Sequence, residues 1–375
     1  MCRWIAYFSP QPILLGDVIE RPKHSIIKQI DDHYLPQLQK HYARDRASDG
    51  GFSPNALTNV DGFGIGWYSS VGAQYRSLSA AEETHPAAPE WEPVVYRNTM
   101  PPLHDPNLTN LCGAIESPVV FGHVRAGSPV ALTNCHPYTA GSFMLMHNGT
   151  IGGFFDALPK TLPLISTNAR RIIKGTTDSE HFFALFLTFL DPDGDWTGAY
   201  HPDVIATALA SAVRTIVRFC TPPGGWPSPS SDAGGMSTHI SLNLALCHAG
   251  TSFFALRFAC PEQQDPPSLY WSTESGATLD RRYEGHPDAG GLRDGKLPRE
   301  EHGQHVVVAS EPMTRGEDQA WHLLRNGDLL RAHAGEMSEK DGWKPDIRPL
   351  SSFEPKSFPE ERADDKVPVS AVLRQ

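Results

Sequence analysis

An α+β fold built on two layered sheets flanked by helices is predicted by three observations. Short apolar and aromatic runs typical of strands fill the first 150 or so residues, helix-period patterns follow over 176–219, and strand-like runs return from 240 onward. Hydrophobic residues make up 39% and charged residues 20% of the 375, a globular balance with enough chain for a sizeable core. No internal repeat interrupts this order, so solenoid architectures are not expected.

In chain order, residues 2–8 and 13–19 read as apolar strand-like runs separated by a proline-containing turn. Ile26, Ile27 and Ile30 mark a short apolar segment, and residues 43–56 are polar and glycine-rich, the pattern of a loop. Asp61-Gly62-Phe63-Gly64-Ile65-Gly66 alternates glycine with bulk, so that a second backbone can approach closely; lacking G-x-G-x-x-G, it is not read as a nucleotide loop. A polar excursion over 72–93 precedes a strand at 94–97, and a helix is expected over 107–116 with Asn107 as N-cap. Residues 119–126 form a buried strand that delivers Arg125 at its end, and 143–146 a second that ends in His147-Asn148-Gly149. Thr177 caps the strongest helix, with Glu180 at the capping-box position and Phe182, Phe183, Leu185, Phe186 and Phe189 behind it. A second helix spans about 202–219. Strands are then expected at 240–247, 252–258, 269–272, 306–309, 320–325 and 329–332.

The charge of -11 disfavours nucleic acid and anionic membrane as partners. Six cysteines (2, 112, 135, 220, 247 and 260) form no C-x-x-C, and the 17 histidines form no H-E-x-x-H, so neither a metal nor a cofactor is expected. No apolar stretch has the roughly 20 residues of a membrane span. The apolar start is cut by Ser9-Pro10-Gln11-Pro12 and lacks a signal-peptide core, which points to a cytoplasmic, reducing location where Cys2 stays a thiol.

Cys2 is the residue of greatest chemical interest. Removal of Met1 would leave a thiol and a free α-amine on one carbon, with pKa values of about 8.5 and 7.7–8.0. The amine can then relay the thiol's proton, placing nucleophile and base in one residue. Thiol attack on an amide also needs an oxyanion hole and substrate clamps. Asn148 and Gly149 supply an amide and a backbone N–H for the first. Arg125 can clamp a carboxylate and Asp178 can accept from an ammonium group. Each also has an ordinary reading: Cys2 as a buried edge cysteine, Asn148-Gly149 as a hairpin turn, Arg125 as an ion-pair partner and Asp178 as a helix-start charge.

Taken together, Met1-Cys2, Asp61-Gly62-Phe63-Gly64, Gly122-His123-Val124-Arg125, Asn134-Cys135-His136-Pro137, His147-Asn148-Gly149 and Thr177-Asp178-Ser179-Glu180 resemble the class II glutamine amidotransferases. That resemblance implies an α+β fold of the four-layer αββα N-terminal-nucleophile (Ntn) hydrolase type. It implies Cys2 as nucleophile and base, Asn148 and Gly149 as the oxyanion hole, Arg125 on the donor's α-carboxylate and Asp178 on its α-amine. Met1-Cys2-Arg3-Trp4, Pro12-Ile13-Leu14-Leu15, Arg21-Pro22-Lys23-His24-Ser25-Ile26-Ile27, Gly175-Thr176-Thr177-Asp178 and Ala309-Ser310-Glu311-Pro312 are similar to one branch, the amidotransferase-like subunit of the fungal Dug glutathione-degradation complex. The branch implies glutathione or another γ-glutamyl substrate and a metallopeptidase-like partner subunit. One departure is that Ala126-Gly127-Ser128 follows Arg125, where synthase-fused members carry an aromatic residue; less bulk there would admit a leaving group larger than ammonia.

The expected organisation is one amidotransferase domain over 2–335, with surface insertions near 221–237 and 261–303, and a charged, extended or disordered tail over 338–375. The expected activity is hydrolysis of the γ-glutamyl amide of glutathione through a Cys2 thioester. A glutaminase subunit feeding a separate synthase, and a silent assembly subunit with Cys2 capped by Met1, remain the alternatives.

Overall fold

The computed structural model describes residues 2–22, 24–30, 61–72, 90–127, 129–226, 239–262, 266–275, 304–314, 321–337 and 343–356. The segments 43–56 and 283–303 read as loops from sequence lie outside the described residues, as does most of 221–235. Within the described residues the strands form two antiparallel sheets. The first contains β1 (Arg3–Leu14), β2 (Phe63–Ser69), β3 (Glu92–Asn98), β4 (Glu116–Val124), β9 (Tyr270–Ser272), β10 (Val306–Ala309) and β11 (His322–Leu323), ordered β11-β9-β10-β1-β4-β2-β3. The second contains β5 (Tyr138–Ala140), β6 (Phe143–Ile151), β7 (Ile240–His248), β8 (Ser252–Cys260), β12 (Asp328–His333) and β13 (Asp346–Pro349), ordered β13-β12-β8-β7-β6-β5.

The period-2 alternation of strand side chains divides the apolar residues into three clusters. Trp4, Ala6 and Phe8 of β1 pack with Met144, Met146 and Ala245 of the second sheet, so the sheets face one another across an apolar layer. Ile5 and Tyr7 point the other way, where Val18 of α1 (Leu15–Ile19) and Leu108 of α2 (Pro106–Ala114) cover them. Leu145, Leu242 and Leu244 on the far side of the second sheet pack with α3 (Phe154–Thr161), α4 (Thr167–Arg170), α5 (Asp178–Leu190) and α6 (Pro202–Cys220). The phenylalanines of α5 are buried in that cluster; full burial of each such side chain is worth about 1.5–3 kcal/mol. No helix among the described residues is long and apolar enough to cross a membrane.

Several boundaries differ from the sequence reading. Residues 3–14 make one strand, not two: the prolines at 10 and 12 fall in a register shift between Phe8 and Ile13, where ladder N–H groups are not required. Residues 15–19 are helical rather than extended, because Leu15, Val18 and Ile19 at helical spacing bury together against α2. Asp105, not Asn107, caps α2, its carboxylate accepting from the Asn107 and Leu108 N–H groups. Residues from 338 were read as a charged tail, yet Asp346–Pro349 pairs with β12 as β13, and Leu350 and Phe353 enter the core beneath α6. Local composition hid this, since the apolar anchors Trp343, Ile347, Leu350 and Phe353 are spread among charged, polar and proline residues.

Phe353 is buried and carries the Arg331 guanidinium 5.0 Å from its ring centroid. Phe353→Ala should lower unfolding free energy by about 3 kcal/mol in urea titration, as for other large-to-small core changes. A change within about 0.5 kcal/mol, the size seen at surface positions, would show that this segment is peripheral to the fold.

Candidate functional site

The antiparallel register of β1 on β4 pairs Arg3 with Val124 and thereby sets Cys2 against the turn that follows β4. The Ala126 N–H donates to the Cys2 Sγ at 3.3 Å, and the thiol lies 3.5 Å from the Ala126 carbonyl. Burial pushes the thiol's pKa up, while the Ala126 contact and the charges of Arg125 and Arg3 pull it back. Asp61 shapes the turn: its N–H donates to the Arg125 carbonyl at 3.2 Å and its carboxylate accepts from the Gly127 N–H at 2.8 Å. Arg125 is buried, and its Nη1 donates to the Gly127 carbonyl at 2.6 Å, so its fork already lies beside the thiol turn.

Asn148 and Gly149 do not end a strand, as the sequence suggested, but lie within β6, opposite Asn243 and Leu242 of β7. The Trp4 indole N–H donates to the Asn243 carbonyl at 3.3 Å, which draws the start of β1 to the strand paired with Asn148. His123 Nε2 lies 3.1 Å from the His147 carbonyl and ties β4 to β6 at the same place. Asn148 is 2% exposed, yet its Nδ2 has no hydrogen-bond partner among the described residues. Leaving a buried donor unpaired costs about 1–3 kcal/mol, so such a group marks a position suited to an arriving acceptor. Gly149 has φ +153°, and a Cβ there would sit 2.0 Å from the Ser241 carbonyl oxygen, so no other residue fits.

Asp178 opens α5 and fastens it to the end of β6. Its Oδ2 accepts from the Ile151 N–H at 2.8 Å, and its Oδ1 accepts from the Ser179 N–H at 2.7 Å and from the Ser179 hydroxyl at 3.1 Å. The Ser179 hydroxyl is also 2.8 Å from His147 Nδ1, the residue before Asn148. Each carboxylate oxygen has two acceptor sites, so Oδ2 retains one for a cation. Thr177 caps α5 as expected, accepting from the Glu180 N–H at 3.2 Å. The reciprocal half of the capping box is replaced, because the Glu180 carboxylate reaches back to the Lys174 and Gly175 N–H groups at 2.9 and 2.6 Å. Asn134 accepts from the Thr176 N–H at 3.0 Å, which pins the same loop to the 134–137 turn.

Three buried imidazoles line the junction of the sheets. Burial pushes His123 down to about 3, lowers His136 well below the usual range, and lowers His147 despite the nearby Asp178. All three are therefore neutral at pH 7. Among the described residues none of them hydrogen-bonds the Cys2 thiol, whose contacts are the Ala126 backbone groups.

The structure thus links all five sequence-predicted positions at one end of the facing sheets. Arg125 precedes the Ala126 contact to Cys2, Trp4–Asn243 joins Cys2's strand to that of Asn148 and Gly149, and Ile151 and His147–Ser179 join that strand to Asp178. Sequence reasoning assigned no task to Asp61, Asn134, Ser179 or Ser310. All four stand inside the quoted motifs, and being short polar residues in otherwise apolar or glycine-rich stretches was their available signal.

Over 337 residues the chain is 30% identical to the probable glutamine amidotransferase DUG3 of Saccharomyces cerevisiae, an alignment covering 88% of this chain and 81% of that protein. It is 25% identical over 201 residues to the gamma-glutamyl-hercynylcysteine sulfoxide hydrolase of Mycolicibacterium smegmatis, 52% of this chain and 71% of that one. Among solved structures, a glutamine aminotransferase class-II domain protein from Silicibacter pomeroyi shares the fold, with a TM-score of 0.50 at 22% identity, covering 93% of this chain and 99% of that one. No family model matches the chain.

Asn148 and Asp178 should respond oppositely to truncation. Asn148→Ala removes an unpartnered donor and should leave stability within about 0.5 kcal/mol, whereas Asp178→Ala strands the Ile151 and Ser179 N–H groups and should cost about 1–3 kcal/mol. Urea denaturation of both variants checks this, and equal losses would contradict the assignment of Asn148 as locally unsatisfied.

Proposed function

This chain belongs to the class II glutamine amidotransferase family, and we propose that it is an amidohydrolase acting on γ-glutamyl amides through a thioester on Cys2. The observation that carries this reading is the thiol's setting. Cys2 lies within hydrogen-bond reach of the Ala126 backbone and of no imidazole or carboxylate among the described residues. A base is still required, and the α-amine of a mature N-terminal Cys2 supplies one. Helices outside each of two facing sheets support the four-layer αββα arrangement of Ntn hydrolases.

In the proposed reaction the amine takes the thiol proton as Sγ attacks the γ-carbonyl. The developing oxyanion is met by Asn148 Nδ2 and the Gly149 N–H, donors aimed at charge that forms only in the transition state. Collapse of the tetrahedral species breaks the C–N bond, and the leaving amine receives the proton held by the α-ammonium group. Water then attacks the thioester, the α-amine again taking the proton and returning it to sulfur, and glutamate is released. Arg125 holds the substrate's α-carboxylate in exchange for its Gly127 contact, and Asp178 Oδ2 accepts from the α-ammonium. No cofactor enters these steps.

Glutathione is the substrate we favour. The name of the mycobacterial relative describes hydrolysis of a γ-glutamyl compound larger than glutamine. The methyl side chain of Ala126 next to the thiol supports room for such a leaving group. A cytoplasmic setting and a metallopeptidase-like partner subunit complete the proposal, and comparing glutathione cleavage with and without that partner tests the latter.

Cys2→Ala should abolish hydrolysis with the fold retained, and Cys2→Ser should keep a trace. Asn148→Ala should lower kcat by about a hundredfold or more. Arg125→Ala should lower kcat/KM about 10- to 150-fold, the loss of one charge-assisted hydrogen bond. Steady-state rates on glutathione, other γ-glutamyl peptides and glutamine check all four variants. Full activity in Cys2→Ala ends the proposal, and a strong preference for glutamine would assign ammonia supply instead.

A further inference from the structure

Directly behind the nucleophile lies a buried ion pair. Arg3 Nη1 donates to the Cys2 carbonyl at 3.2 Å, and Arg3 Nε lies 4.0 Å from Glu311 Oε1, the two side chains being 10% and 1% exposed. The register of β1 on β10, with Ile5 opposite Ala309, brings residues 3 and 311 face to face just beyond that ladder. Ser310 locks the approach: its hydroxyl accepts from the Trp4 N–H at 3.1 Å, and its own N–H donates to the Trp4 carbonyl at 3.0 Å. The Ser268 hydroxyl donates to the Ser310 carbonyl from the other side. Glu311 is thus placed by the backbone around it, with its carboxylate facing the Arg3 guanidinium at ion-pair range.

From this geometry we infer that Arg3, paired in charge with Glu311, is a positioning residue for the Cys2 nucleophile. The inference rests on the reading of Cys2 as a mature N-terminal residue. Such a residue has no preceding peptide to hold it, and chain termini fray unless tied down. Its one remaining backbone handle is the carbonyl, which Arg3 holds. With the carbonyl fixed by Arg3 and the thiol by Ala126, rotation about the Cα–C bond is confined, so the direction of the amine follows. The guanidinium is charged at every accessible pH. It favours the thiolate against the opposing effect of burial and disfavours the ammonium form of the amine. Glu311, in turn, offsets the cost of burying that cation, and a buried pair broken on one side is strongly unfavourable.

The test uses Arg3→Met, Arg3→Lys and Glu311→Gln in the full chain, with removal of Met1 verified by intact mass. Two quantities are read: the rate of Cys2 alkylation by iodoacetamide across pH, and kcat and KM for glutathione. Arg3→Met should slow alkylation at pH 7 about tenfold, with its pH midpoint moved upward, since one pKa unit changes the thiolate fraction tenfold. It should lower kcat about 10- to 100-fold while KM stays within about twofold, the signature of lost alignment. Arg3→Lys should recover part of both, and Glu311→Gln should fall between. Wild-type alkylation rate and midpoint in Arg3→Met overturn the inference, even if its melting temperature falls, because that pattern is purely structural. Should Arg3→Met fail to fold, unchanged alkylation in both Arg3→Lys and Glu311→Gln overturns it equally. If the wild type cleaves no γ-glutamyl compound, the proposed substrate fails, while the alkylation series still decides the role of Arg3.

Discussion

Strand β1 is paired on both edges, by β4 on one side and β10 on the other, and the candidate site depends on that double ladder. The first residues of a chain ordinarily move freely. Here Trp4, Ile5, Ala6, Tyr7 and Phe8 are all buried, with alternate side chains directed to the opposite sheet and to the covering helices. A slip of one residue would exchange those two sets and turn Cys2 to the wrong face, so burial itself enforces the register. The position of the thiol is therefore a consequence of core packing some distance along the strand, not of contacts at the thiol alone.

Two facing apolar sheets have no intrinsic lateral registry, because dispersion and burial are non-directional. Polar ties set it here. His123 meets the His147 carbonyl, Trp4 donates to the Asn243 carbonyl, and the Tyr68 hydroxyl lies 2.9 Å from both the Ser142 and Cys247 carbonyls. Each such group is costly to bury without its partner, so the sheets are stable in the one placement that satisfies them together. Asn148 Nδ2 departs from that rule within the same layer of structure. Asn148 Nδ2 is an amide donor buried there without a partner among the described residues, and an incoming oxygen is favoured at such a group.

The elements with strong periodicity were legible in the sequence. The α5 helix with its Thr177 cap and the strands at 240–248, 252–260 and 306–309 follow from local pattern within a residue or two. Two of the misses have a common cause. Tyr138–Ala140 and Asp346–Pro349 are three- and four-residue strands whose pairing partners are supplied by β6 and β12. Such segments carry too little local signal to be recognised alone. Asn148-Gly149 misled in the opposite sense, because a dipeptide common in turns is held inside a ladder by Asn243 and Leu242.

For the site, the sequence by itself determined which chemical groups are available. A thiol following Met1, an amide–glycine pair, an arginine and a helix-opening aspartate are properties of residue type and order, and they suffice to name a reaction class. Tertiary structure alone decided how those groups stand to one another. It placed the Ala126 backbone against Cys2 through Asp61, left Asn148 Nδ2 without a partner among the described residues, gave Asp178 three structural hydrogen bonds as well as a spare acceptor site, and set Arg3 and Glu311 behind the nucleophile. Side-chain chemistry is local and can be read from residue identity. Distance, burial and hydrogen-bond satisfaction instead arise between residues as far apart in the chain as Arg3 and Glu311, and they exist only once the two sheets have packed.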